Sequence, residues 1–131
     1  MTAREQPPVT RGSSRILDRD RKIIELVWTG RETPADIEAV NMELLDWTSR
    51  LGRGFDLLVD MRSVTAWSQE TKEALVTHQQ FLLRWGMRRA AVVVASAVAR
   101  LQLNGVKKLS DNDRETQWGS YEEALTFLKE A

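Results

Sequence analysis

Two apolar runs decide the fold: FDLLVD at residues 55–60 and AAVVVA at residues 90–95. Both are apolar on nearly every position, which is typical of strands covered on both faces at the centre of a parallel sheet. Between them, apolar side chains recur every three or four positions over residues 71–85, which indicates an amphipathic helix. Ser68 is placed to cap the start of this helix and Gly86 to end it. The segment is therefore a strand-helix-strand unit, and its right-handed crossover makes the two strands parallel.

The segments on either side carry equally local signals. Cap, turn and periodicity patterns predict six further elements, namely the two strands of a β-hairpin at residues 15–28, a helix from Thr33 to Gly52, a helix from Ser96 to about Leu109, a strand from Glu115 to Trp118 and a helix from Ser120. The predicted order is ββαβαβαβα. The fold class is α/β, with a small mixed sheet, parallel central strands and about four helices.

The length of 131 residues predicts one domain. We assign residues 13–131 to it and expect residues 1–12, which lack periodicity and include a Pro-Pro pair, to be a disordered tail.

Composition excludes several classes of partner. Nineteen Lys and Arg balance nineteen Asp and Glu, so no net positive field attracts nucleic acid. The longest apolar run, residues 90–95, is far shorter than the roughly 20 residues of a membrane span. The start lacks the apolar centre of a signal peptide, and cysteine is absent, which is compatible with a reducing compartment. We expect a cytoplasmic protein.

No catalytic or metal-binding pattern stands out. The single histidine, His78, lies on the apolar face of the second helix and is interpreted as a packing residue. Gly52 and Gly54 precede a strand, whereas phosphate-binding glycines follow one. Residues 111–113 resemble the start of a calcium loop but lack its turn glycine. We expect no enzymatic activity, no cofactor and no metal.

The stretches LLVDMRSVT at 57–65, RAAVVV at 89–94 and SYEEAL at 120–125, together with the element order, resemble the STAS superfamily, and within it the SpoIIAA-like branch. The resemblance covers residues 13–131. It implies a bacterial regulatory module that recognises a partner protein, with a site in the loop after the central strand and a phosphorylated residue at the start of the next helix. Gln69 stands where that branch has its phosphorylated serine.

The site residues that follow from the resemblance are Asp60, Ser63, Trp67, Ser68 and Thr71. A phosphate on Ser68 would lie at the positive end of a helix. Alternatively, Ser68 only caps the helix.

A second hypothesis is the binding of a lipid or another apolar small molecule. The SpoIIAA-like branch also resembles lipid-transfer domains, and the chain holds five tryptophans. The alternative is that these tryptophans fill the core. Trp67 is the exception, because it falls in the expected recognition loop.

Two further groups of residues, the apolar stripes of the third helix and a cluster of arginines, also need an interpretation. The third helix has one apolar stripe at Val98, Leu101, Gly105 and Leu109 and another at Ala99, Leu103 and Val106. The additional stripe predicts self-association as a homodimer, or burial under the last helix. Arg84, Arg88 and Arg89 are interpreted as a solvated corner at a helix end.

Overall fold

A computed structural model describes residues 11–130 of the chain. It confirms the predicted α/β class and the order ββαβαβαβα. The strands are β1 (Ser13–Asp18), β2 (Ile23–Val27), β3 (Asp56–Met61), β4 (Arg89–Val94) and β5 (Glu115–Trp118). The helices are α1 (Pro34–Leu51), α2 (Gln69–Arg84), α3 (Ala97–Leu109) and α4 (Tyr121–Lys129). In this range no helix is both long enough and apolar enough to cross a bilayer.

The five strands form one mixed sheet in the order β1-β2-β3-β4-β5. β1 and β2 form the predicted antiparallel hairpin, and the remaining neighbours are parallel. The two apolar runs lie side by side in register, with Leu57 opposite Ala90 and Met61 opposite Val94. The parallel pairing at the centre of the sheet is therefore confirmed.

The two faces of the sheet are covered unequally. Because neighbouring parallel strands follow one another in sequence, right-handed crossovers place α1, α2 and α3 on the same face. Their apolar residues form the larger core, against alternate side chains of β2, β3 and β4. α4 follows the last strand and covers the other face, where Ala124 and Leu128 pack on Leu58, Ala91 and Val93.

The predicted helix boundaries rest on caps that the structure confirms. Thr33 and Asp36 form reciprocal hydrogen bonds at the start of α1. α2 ends at Arg84, and Gly86 follows its C-cap residue with a φ of +99°, which is costly for any residue with a side chain. A Cβ at Gly86 would also lie 2.8 Å from Cβ of Arg53, so both the backbone and the packing require glycine there.

The interpretation as a solvated corner is wrong for Arg89, which is mostly buried, whereas Arg88 is exposed as expected but also pairs with a buried carboxylate. Asp56 at the start of β3 is 0% exposed, and its Oδ2 lies 2.6 Å from a terminal guanidinium nitrogen of each arginine. Burial alone would raise the pKa of Asp56, but hydrogen bonds from the two arginines outweigh it and leave the pKa below its ordinary value. Arg84 is exposed, as expected.

Residues 1–10 of the expected tail lie outside the described residues. Of its last two residues, Arg11 is exposed but pairs with Glu43, and Gly12 is buried against Val27 and Trp28.

Candidate functional site

The loop at residues 62–68, between β3 and α2, is tied to α3. Ser96 Oγ donates to Thr65 O at 2.7 Å. The side-chain amide of Gln102 accepts from Trp67 N at 2.7 Å and donates to Trp67 O at 3.0 Å. These bonds hold the backbone of Trp67 against α3 and set the direction of its side chain.

Trp67 points inward, although its place in the sequence predicted an exposed recognition residue. It is only 5% exposed, and its ring meets Trp28 edge to face with centroids 6.0 Å apart. Trp28 meets the ring of His78 in the same way, at 5.3 Å. Trp67 is thus part of a buried aromatic cluster between the sheet and α2.

The three hydroxyl residues differ in exposure. Ser63 lies exposed in the turn after β3. Ser68 is exposed and caps α2, with its Oγ accepting from Thr71 N at 3.1 Å and donating to Thr71 Oγ1 at 3.0 Å. Thr71 is buried and donates its own hydroxyl to Glu32 O at 2.6 Å. Ser63 and Ser68 are therefore open to modification, whereas Thr71 is a structural residue.

Asp60 lies on the opposite face of the sheet from Trp67. It forms a two-pronged ion pair with Arg62, with N–O distances of 2.8 and 3.0 Å. Burial would raise the pKa of Asp60, but the hydrogen bonds from Arg62 prevail and lower it. Arg62 in turn stacks on Tyr121 of α4, whose hydroxyl bonds to Glu25. Asp60 therefore belongs to a polar network beside α4 and does not meet the other predicted site residues.

A cavity of about 30 Å³ lies between the sheet and helices α2 and α3. Its walls are apolar and aromatic, and include Trp28, Trp67, Met61 and Met87. Its polar lining comes from His78, Gln79, Asn112 and Glu115. The volume is room for about two water molecules, far below the roughly 300–1,000 Å³ of sites for drug-sized ligands.

The polar groups are organised around Gln79. Its Oε1 accepts from Ser110 Oγ at 2.7 Å and from Asn112 Nδ2 at 3.3 Å. Its Nε2 donates to Glu115 Oε1 at 3.4 Å. His78 forms a separate bond, from Nδ1 to Asn41 Oδ1 at 2.6 Å, which requires the proton on Nδ1.

Burial perturbs both titratable groups of the cavity. It lowers the pKa of His78 to about 4, so the imidazole is neutral at physiological pH. It raises the pKa of Glu115 to about 7, and the charge of Lys107 and the amide of Gln117 offset only part of this rise. At neutral pH the cavity therefore carries at most a partial negative charge.

Two buried polar atoms of the cavity residues have no hydrogen-bond partner among residues 11–130. They are Nε1 of Trp67 and Oε2 of Glu115. The indole Nε1 atoms of Trp47 and Trp118 do have acceptors, Ser14 Oγ at 3.0 Å and Thr116 Oγ1 at 2.8 Å. Both of these unpaired atoms thus belong to residues that line the cavity.

The outer surface of α3 is apolar and exposed. Leu101 and Leu109 are 72% and 73% exposed, and Val98 is also largely exposed. With Gly105 and Val76 of α2, the two leucines line a groove of about 280 Å³ between the two helices. α4 lies on the other face of the sheet, so the alternative that the last helix covers this stripe is wrong.

Sequence reasoning missed Gln79, Asn112 and Glu115. Glu115 begins a short edge strand that reads as polar, and such a residue normally faces solvent. Only its register opposite Ala90, whose side chain is on the sheet face covered by α1–α3, shows that Glu115 points into the core. For Gln79 the available signal was its spacing on α2, four residues after Leu75 and three before Leu82, which places it on the buried face of the helix.

No three His, Asp or Glu side chains between residues 11 and 130 are grouped so that they could hold a metal ion. No protein-family model, curated protein or solved structure matches the chain.

Proposed function

We propose that this protein is a non-catalytic interaction module that binds an acidic amphipathic helix of a partner protein in the groove between α2 and α3. The observation that carries the proposal is the exposure of Leu101 and Leu109 on either side of Gly105. Contiguous exposed apolar side chains in a groove mark interaction sites, because their contact with water is unfavourable until a partner covers them.

Gly105 indicates that the partner approaches the backbone closely. Glycine in a helix interior costs roughly 1 kcal/mol relative to alanine. Nothing in the described structure requires it, because a Cβ at Gly105 would have no neighbour within 4 Å. A helix packed across α3 at this point would make use of the missing side chain. A groove between two helices also matches the ridges of a third.

The charges around the groove favour an acidic partner. α3 carries Arg100, Lys107 and Lys108 and no acidic residue. On the α2 side, Lys72 and Glu73 cancel each other. The lining itself is therefore balanced, and the positive excess comes from the three basic residues of α3, each of which is next in sequence to a lining residue. Acidic side chains flanking an apolar stripe would complement these basic residues. The same charges oppose the pairing of α3 with α3 of a second copy.

Phosphorylation of Ser68 would act on the same surface. Ser68 precedes Gln69, which lines the groove, and its hydroxyl is exposed. A phosphate there adds nearly two negative charges and would weaken the binding of an acidic helix. This regulation also agrees with the resemblance to the SpoIIAA-like branch, in which the start of this helix is modified.

We expect Leu101→Glu to weaken binding at least tenfold, because a carboxylate replaces an apolar anchor and repels acidic residues. The probe is a short helical peptide with leucines at i, i+3, i+4 and i+7 and glutamates elsewhere, measured by fluorescence anisotropy. The matched control is Met42→Glu, since Met42 on α1 is 68% exposed but outside the groove. It should bind like the wild type.

The charge argument has its own control, the same peptide with lysine in place of glutamate. Equal binding of the two peptides, or an equal effect of Met42→Glu, would contradict the proposal. A concentration-dependent dimer in sedimentation that Leu101→Glu abolishes would assign the groove to a second copy and exclude the acidic helix.

Gly105→Ala separates stability from binding. In the free protein it should raise the free energy of unfolding by about 0.5–1 kcal/mol, because alanine favours the helix and no clash arises. The same change should weaken the binding of the glutamate peptide severalfold, because the new methyl group prevents the partner helix from approaching the backbone of α3 closely. Urea unfolding and anisotropy measure the two effects. Unchanged peptide affinity would show that no close approach occurs at this position.

A lipid in the buried cavity is not supported to the same degree. Sites for drug-sized ligands occupy roughly 300–1,000 Å³, whereas this cavity measures about 30 Å³.

A further inference from the structure

A pocket of about 260 Å³ lies at the edge of the sheet where the parallel strands begin. β2, β3 and β4 start side by side there, and backbone bonds of 2.8 Å join Asp56 N to Lys22 O and Arg88 N to Phe55 O. The pocket is lined by the basic residues Arg21, Lys22, Arg88 and Lys129, together with Asp20 and Gly54. Most of these residues are exposed, so the pocket is open to solvent.

The pocket carries an excess of positive charge, although the whole chain is neutral. Four of its side chains are basic and one, Asp20, is acidic. Arg21 pairs with Asp18 at 3.3 Å, and Arg88 shares the buried Asp56 with the arginine that follows it. With these ion pairs included, the site has five basic groups and three carboxylates, an excess of two positive charges.

The buried carboxylate of Asp56 fixes the orientation of Arg88. Nε and Nη2 of Arg88 donate to it at 3.0 and 2.6 Å. A guanidinium bound through this side points Nη1 away from the carboxylate, and within residues 11–130 no group accepts from Nη1. The side chain is 49% exposed, so a ligand can reach it. Arg88 is therefore a pre-oriented donor that a ligand does not have to order.

Lys22 occupies a position whose backbone conformation favours other residues. Its φ of +56° lies in the left-handed region, where glycine and asparagine are usual at the end of a hairpin turn and lysine is strained. The amino group uses one of its three N–H groups, in a bond to Arg53 O of 3.2 Å. Backbone strain of this kind is concentrated at functional sites. A ligand that needs the charge of Lys22 beside Arg88 would account for it.

The ligand that fits these groups is a small dianion. Arginine and lysine are the side chains that bind phosphate, and a phosphate monoester carries nearly two negative charges above about pH 6, which matches the excess. The volume equals that of about nine water molecules, enough for a phosphate with a small substituent. The large apolar side chains that are exposed in residues 11–130 lie on α1 and α3, so none of them would hold a lipid chain beside the pocket.

We propose that this pocket binds the phosphate group of a small water-soluble phosphate monoester. Arg88 Nη1 and the amino groups of Lys22 and Lys129 donate to the phosphate, and Asp56 orients Arg88. The pocket shares no lining residue with the groove between α2 and α3, so the site does not depend on the proposed function.

The test compares methyl phosphate with dimethyl phosphate, which has one negative charge instead of two, at constant ionic strength and pH 7.5. Each compound is titrated into ¹⁵N-labelled protein, and the amide resonance of Gly54 reports binding. Methyl phosphate should shift this resonance and should bind at least tenfold more tightly than dimethyl phosphate. Equal binding of the two compounds, or a Gly54 resonance that moves with neither, overturns the proposal.

Lys22→Asn should weaken the binding of methyl phosphate at least fivefold. It should not lower the free energy of unfolding, because asparagine tolerates the left-handed region better than lysine does. Lys129→Gln should weaken binding to a similar degree, and it leaves the hairpin turn unchanged if Lys22→Asn does not fold. The matched control is Lys108→Gln, which removes an exposed charge from α3 outside the pocket and should bind like the wild type. An equal loss in the control would contradict the site.

Vesicles that contain phosphatidic acid distinguish a soluble ester from a lipid headgroup with the same phosphate. The protein should not sediment with them. Sedimentation at a lower phosphate concentration than methyl phosphate requires would show that the assignment to a soluble ester is wrong. Leu101→Glu should leave methyl phosphate binding unchanged, so failure of this site and failure of the groove are distinguishable.

Discussion

Asp56→Ala should lower the free energy of unfolding by about 3 kcal/mol or more, the largest effect we expect from any single substitution. The carboxylate is fully buried and accepts from both Arg88 and Arg89, and Arg89 is itself mostly buried. Removing the carboxylate leaves the mostly buried Arg89 without its countercharge, whereas the half-exposed Arg88 stays hydrated; breaking a buried pair in this way typically costs about 3–5 kcal/mol. Urea unfolding at pH 7 measures the change.

Asp46→Ala is the matched control. Asp46 also pairs with an arginine, Arg50, at 3.2 Å, but both side chains are more than half exposed. Exposed pairs contribute at most about 1 kcal/mol, so this variant should be nearly as stable as the wild type. A loss of less than about 1 kcal/mol in Asp56→Ala would contradict the prediction, because it would mean that water solvates the guanidinium groups of Arg88 and Arg89 once the carboxylate is removed.

Glu115→Gln should stabilise the protein above pH 7 by up to about 3 kcal/mol. Burial raises the pKa of Glu115 from an ordinary value of 4.5 to about 7. Between these values the unfolded chain releases the proton and the folded chain keeps it, so stability falls as the pH rises from 4.5 to 7. Glutamine matches the shape of the neutral acid and cannot ionise, so the loss disappears.

His78 produces the opposite dependence. Its pKa falls from an ordinary 6.5 to about 4 on folding. Between these pH values the unfolded chain binds a proton at His78 and the folded chain does not. The free energy of unfolding therefore falls by up to about 3 kcal/mol as the pH drops from 6.5 to 4. In the wild type the two slopes nearly cancel between pH 4.5 and 6.5.

The measurement is the free energy of unfolding at half-unit steps from pH 4.5 to 8. The wild type should be nearly flat up to pH 6.5, whereas Glu115→Gln should gain stability steadily over the same range and then level off. The lowered pKa values of Asp56 and Asp60 act below this window, since their stabilising charge is lost only as the pH falls through 3.8 and lower. Parallel profiles for the two proteins would refute the burial of an ionisable Glu115.

The site residues that the resemblance predicts lie on two opposite faces of the sheet. Ser68, Trp67 and Thr71 do lie together at the start of α2, as their closeness in sequence requires. Asp60 is only seven residues before Trp67, yet it faces α4. The reason is strand alternation: Met61 enters the core shared with α1–α3, so its neighbour Asp60 must point the other way.

Leu45 shows a smaller error of the same kind. The three- and four-residue apolar spacing of α1 predicts that it lies on the core face with Leu44, but it is 37% exposed whereas Leu44 is fully buried. An apolar stripe on a helix locates the edge of the buried face only to within about one residue, because that edge also depends on how much of the helix the sheet covers.

Local sequence patterns were sufficient to predict the elements, their order and the parallel pairing of the two central strands. These depend on interactions among residues near in the chain, namely caps, periodicity and the handedness of a crossover. The packing of the folded chain was needed to establish that Trp67 turns inward, that Glu115 lines the same cavity, that two arginines share Asp56, and that α4 leaves the outer stripe of α3 exposed. Those features depend on which side chains from distant segments meet on each face of the sheet, and the local pattern carries almost no information about such contacts.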